Sequence, residues 1–258
     1  MVRKRMMRRR IHRRLLPGEY EVKTMLIHED PEFEAAATSG DFDIIVPVSI
    51  FVPENGDEPV FTAYNVVWDI CEQYEKDHPD DLLNADAIRK LCREVVPIVN
   101  DMGYSVDLKG SRLIHDYRIS GVNEQIERYA AKAEIITSET EIDGLECPLL
   151  HAPRPDEDDV CAVVIENGVV CACAAINDFS DDDSVEINVE TAVNYRGRGF
   201  GTAATAALVR YLINSGETVA YNCAESNKAS SGIAEKLGMT LLGKHFNIIC
   251  YAGEIVDG

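Results

Sequence analysis

Arg196, Gly199 and Gly201, spaced R-x-x-G-x-G, are the residues of this chain best suited to hold an anion. Gly197, Gly199 and Gly201 let the backbone turn tightly and approach a ligand, and the helix expected after them aims unpaired N–H groups and its positive dipole end at that ligand. With Arg196 and Arg198 in the same turn, the guest that fits is a pyrophosphate. A nucleoside-triphosphate loop would need Gly-Lys-Ser/Thr where Gly201-Thr202-Ala203 stands. A dinucleotide loop needs G-x-G-x-x-G rather than G-x-G-x-G, and Glu225 is a distant ribose partner. Ahead of the loop, Glu186 and Glu190 fall on the polar side of an alternating strand whose other side carries Val185, Ile187 and Val189. Carboxylates so placed can serve as general bases.

From 185 to 239, and more loosely from about 158 to 252, the chain resembles the GNAT superfamily of acyl-CoA N-acyltransferases, on its RGRGFGT loop and the later stretch NKASSGIAEKLGM. The resemblance implies acetyl-CoA as co-substrate and no metal. It gives the backbone of Thr191, Ala192 and Val193 to the pantetheine arm, and Arg196, Gly197, Arg198, Gly199, Phe200, Gly201 and Thr202 to the pyrophosphate cradle. Asn227 and Ser230 open the helix that completes the cofactor site. Glu190, then Glu186, is the expected base, and a backbone N–H freed by a bulge near Thr191 is the expected oxyanion donor. The chain departs from the family where a helix tyrosine usually serves as acid, because Ala234 stands there; the alternatives are Ser230, Ser231, Tyr195 or water in its place, or no dedicated acid, since a thiolate is a fair leaving group. Gly238-Met239 replaces the usual Gly-Phe. The implied reaction is acetyl transfer to an amine of a small molecule or peptide, and the alternative is a non-catalytic coenzyme A binder or regulator.

The elements needed to hold such a loop can be read from periodicity. Residues 160–166 and 169–177 flank Asn167-Gly168, a two-residue hairpin turn. Residues 201–214 form an alanine-rich helix stopped by Gly216, 218–225 a strand, and Ala229, Ile233 and Leu237 mark the apolar face of another helix. Residues 240–251 return as one long strand or a strand pair. Upstream, 43–52 and 59–67 read as a hairpin about Glu54-Asn55-Gly56-Asp57, 82–102 as a helix that Pro97 should start, kink or end, and 121–136 as a helix capped by Asn123. The expected class is α/β (α+β): a GNAT-like mixed sheet flanked by helices over 121–258, preceded by a smaller α/β unit over 19–120 and a basic disordered tail over 1–18.

The charge is uneven. Eight Lys and Arg, and no acid, crowd the first fourteen residues; without them a net −20 becomes −28. Such a body repels nucleic acid and suits a cationic acceptor. Eight cysteines without a C-x-x-C pair argue against zinc and disulfide frameworks and for a reducing, cytoplasmic setting. No apolar run reaches the roughly 18 residues of a membrane span. A homodimer is compatible with this composition.

Overall fold

The computed structural model describes residues 25–28, 44–107, 111–155, 160–179 and 184–252. The basic tail and the acidic run 181–183 lie outside them. The described residues divide into two compact units, one of those up to 114 and from 243 onward, the other of those within 115–242; the boundary expected from the sequence is instead a single one at 120/121.

In the first unit, β1 (Met25–His28) runs parallel to β3 (Val60–Ala63), which pairs antiparallel with β2 (Ile44–Pro53). The expected hairpin is therefore present, but its second strand stops at Ala63. Residues Asn65–Val67 form a 3-10 turn and run into helix α1 (Trp68–Asp77), because Val66, Val67 and Trp68 prolong the apolar run without the period-2 alternation of a strand. Helix α2 (Ala85–Asp101) carries Pro97 inside it without ending. Ala87, Leu91, Val95 and Val99 are buried along one stripe, while Pro97 and Arg93 are exposed, so water can take the Arg93 carbonyl that proline leaves without a donor. A short β4 (Tyr104–Val106) lies against the last strand, whose part from Gly243 on belongs to this unit and pairs with β2, Phe246 opposite Ile50.

The second unit is a six-strand mixed sheet in the order β5-β10-β9-β8-β7-β6. Its strands are β5 (Leu113–Ile119), β6 (Glu134–Ile136), β7 (Cys161–Glu166), β8 (Val169–Phe179), β9 (Val185–Thr191) and β10 (Val219–Ala224). Asn167 and Gly168 turn the β7–β8 hairpin with φ of 53° and 80°, as a type I′ turn requires. Helices α3 (Glu124–Ala130), α4 (Phe200–Asn214) and α5 (Lys228–Leu237) share one core with Ala162, Val164, Ala172, Ala174, Ile187 and Tyr221 of the sheet. Cys161, Val163 and Cys173, on the opposite face, pack with Leu149 and Ala192. The last strand, β11 (Thr240–Ala252), is one long strand rather than two.

The helix expected over 121–136 is shorter: it ends at Ala130, and Glu134–Ile136 is an edge strand on β7. Its face of Ile126 and Ala130 is buried as expected, but the apolar pair Ile135-Ile136 belongs to strand period. Asn123 caps it through Oδ1, which accepts from the Ile126 amide at 3.0 Å, and its Nδ2 donates to the Leu237 carbonyl at 2.8 Å, closing the C-terminus of α5. Asn123→Ala removes both bonds at once. The expected loss is about 1 to 3 kcal/mol, read as a shift of the denaturant midpoint at constant slope.

Candidate functional site

β9 and β10 run parallel but pair at only two positions, Val185 with Val219 and Glu186 with Ala220. Beyond them, residues 187–191 and 221–224 have no pairing with each other, so the sheet opens toward the C-terminal ends of both strands. Crevices at the carboxyl ends of parallel strands are where ligands bind in open α/β sheets. Helix α4 begins at this mouth. Its N-cap, Gly199, sits at φ 82° and supplies no side-chain cap, so the first-turn amides keep their donors for a ligand. Gly201 brings the helix hard against β9: a Cβ there would meet Thr191 Oγ1 at 2.7 Å. An uncapped helix start, a left-handed glycine and two arginines fit a diphosphate.

The loop residues are spent unevenly. Arg196 Nε donates to the Thr191 carbonyl at 3.2 Å, and Arg198 Nη2 donates to Glu166 Oε1 at 2.6 Å while its guanidinium lies 4.6 Å above the Phe200 ring. The Ala192 amide donates to the Cys171 carbonyl and Ala192 is buried, whereas Val193 is exposed. The bulge expected near Thr191 is elsewhere. Thr191 and Glu190 pair regularly with Ala172 and Cys173, and the irregularity falls on β8 at Asn177, between Ile176 and Asp178. Asn227 caps α5 by accepting from the Ser230 amide at 3.2 Å, and Thr202, on the first turn of α4, is buried.

The two carboxylates differ. Glu190 accepts hydrogen bonds from the amides of Leu150 at 2.5 Å and His151 at 3.0 Å, and its Oε2 lies 3.3 Å from His151 Nδ1. Burial pushes its carboxyl up, but the two amides and His151 together outweigh that and hold it below the ordinary range. A carboxylate so gripped is a weak base. Glu186, half-buried at the root of the opening, takes a long hydrogen bond from Asn177 Nδ2 at 3.4 Å.

Sequence reasoning did not reach the tether from Glu190 to Leu150 and His151, nor the ion pair of Arg198 with Glu166; both join distant segments and leave no local pattern. It also passed over Tyr221. The V-A-Y-N-C alternation of β10 puts that side chain on the core side with Val219 and Cys223, which would have drawn notice to a buried phenol. Cys171 and Cys173 are buried core residues, as expected of small side chains on a strand, and burial raises the Cys171 thiol. Among the described residues no cluster of His, Cys, Asp and Glu could hold a metal, and no helix is long and apolar enough to cross a membrane.

The sequence profile of the GNAT acetyltransferases matches residues 161–245, which span β7 to β11 and include the opening, the glycine loop and both helices behind it. Residues 161–245 are a GNAT acetyltransferase domain. Among solved structures, the chain is similar to a GCN5-related N-acetyltransferase-like protein from Streptococcus suis 89/1591, at 19% identity over 62% of this chain and 68% of that one, with a TM-score of 0.41. It is also similar to GCN5-related N-acetyltransferases from Sphaerobacter thermophilus (14% identity, 68% and 59% coverage, TM-score 0.41) and Kribbella flavida (14%, 62% and 64%, TM-score 0.38). Comparison with curated protein sequences finds no match. The GNAT domain thus accounts for the second unit from β7 onward, with β11 carrying the chain back into the first.

Proposed function

We propose that this protein transfers an acetyl group from acetyl-CoA to an amine of a small molecule or peptide, and that the acidic body selects a cationic acceptor. The observation that carries this reading is the parting of β9 and β10 in front of the uncapped N-terminus of α4. In it, the amides of residues 199–202 and the guanidinium of Arg198, drawn from Glu166, hold the diphosphate, while the backbone edge of β9 orients the pantetheine chain. An amine is mostly protonated at neutral pH, so a base must strip it before attack. Glu186 takes that role because it stands where the strands part. Glu190 instead ties β9 to the Leu150–His151 segment.

A second reading, a coenzyme A binder without turnover, draws on the engaged state of Glu190 and on Ala234 at the family's tyrosine position. Calorimetric titration with acetyl-CoA, desulfo-CoA and NAD in parallel, followed by an amine screen, separates the two. Micromolar acetyl-CoA binding without NAD binding, and turnover of a polyamine or peptide amine, is expected. Binding without turnover of any amine would favour the second reading, and binding of NAD alone would remove both.

A further inference from the structure

Tyr221 is the first residue of β10 past its last pair with β9. It is 2% exposed, and its hydroxyl makes no hydrogen bond among the described residues. A buried hydroxyl without a partner costs on the order of 1 to 3 kcal/mol, and such exceptions in a fold call for a reason. Tyr221 shares a core with Ala234 and Leu237 of α5, the helix that packs on β10. Ser230 and Ala234 lie one turn apart on that helix and so face the same way. Ser230 is close enough to ease ionisation of the phenol without reaching hydrogen-bonding geometry, and Ala234 offers only a methyl. The hydroxyl is therefore a donor held ready, at the point where the sheet opens, on the side where α5 carries no acid of its own.

We propose that the Tyr221 hydroxyl is the proton donor to the sulfur that leaves during acyl transfer. This rests on the acetyl-transfer reading above. In the step, the amine lone pair forms the new N–C bond, the C–S bond breaks with its electron pair going to sulfur, and Tyr221 passes its proton to that sulfur. Glu186 takes the proton shed by the amine and releases it to water, from which the phenolate is refilled. Amine and thioester thus give amide and thiol with no other reactant. Burial pushes the phenol up to about 12, so Tyr221 holds its proton at neutral pH until charge develops on the sulfur beside it.

The test has a binding arm and a turnover arm, each on the full chain. Coenzyme A and desulfo-CoA differ at the sulfur alone. The parent protein should prefer coenzyme A by roughly threefold to tenfold, the worth of one hydrogen bond, and Tyr221→Phe, which keeps the ring and its packing, should abolish the preference. The same variant should lower kcat by about 100-fold with KM for acetyl-CoA unchanged. An equal preference in both proteins, or a kcat within twofold of the parent, would overturn the assignment. Failure of both ligands to bind the parent would instead remove the acetyl-transfer reading, and this assignment with it.

Discussion

Arg198→Ala combined with Gly199→Val will weaken coenzyme A binding by roughly 2 to 4 kcal/mol, about 30- to 1000-fold. Two separable causes act. Nothing lies within 4 Å of where a Gly199 Cβ would stand, so valine meets no collision there. Its difficulty is the backbone: at φ 82° a β-branched residue is strained, and relief comes by rotating the peptide units whose amides open α4. Arg198 is paired with Glu166 in the protein itself, both side chains at least a third exposed. An exposed pair of that kind is worth about 0 to 1 kcal/mol, so a diphosphate can take the arginine from it. Glu166→Gln should accordingly leave affinity unchanged or slightly raised. Calorimetry at one fixed salt concentration measures all three proteins, since added salt would screen the arginine's share. Affinity unchanged in the double variant would mean the cradle lies elsewhere.

Glu186→Gln is expected to cut turnover about 10²- to 10⁴-fold with acetyl-CoA affinity intact, and Glu190→Gln less than tenfold. A base must hold its proton in one part of the cycle, and Glu190, with two amides and His151 on its oxygens, is held against protonation. Its signature belongs to stability instead. Because its folded pKa is lowered, its contribution is complete above the ordinary glutamate value of about 4.3 and fades as pH falls through the folded value. Parent and Glu190→Gln should differ in chemical stability at neutral pH and converge in acid. The opposite order of kcat values would return the base to Glu190.

Much of the second unit was legible because its signals are local. Asn167-Gly168 dictates its own turn, Val185, Ile187 and Val189 declare one face of a strand, and Gly199 with Gly201 announces a helix start under close approach. The errors have a common cause. Ile135-Ile136 could extend a helix or begin a strand, and the choice went to pairing with Cys161 and Ala162, more than twenty residues on. Val66-Val67 could continue a strand, and the choice went to the turn that brings Trp68 and Cys71 onto the first core. The bulge was sought at Thr191 and stands at Asn177 because register is decided by the partner strand, which no single segment encodes. For the site, residue types pointed to the loop that opens α4, yet the tie of Glu190 to the amides of Leu150 and His151 depended on the path of residues 149–151.

The two-residue pairing of β9 with β10 leaves residues 187–191 and 221–224 without each other as strand partners in the interior of a sheet. A ligand that threads this gap is therefore a structural member as well as a reactant. Folding and loading become linked equilibria: at a hundred times its Kd, the ligand adds about 2.7 kcal/mol to stability. Amide protons of residues 187–191 and 221–224 should then slow their exchange in proportion to occupancy. The cell's supply of acyl donor would in this way set how much of the protein survives, as well as how fast it works.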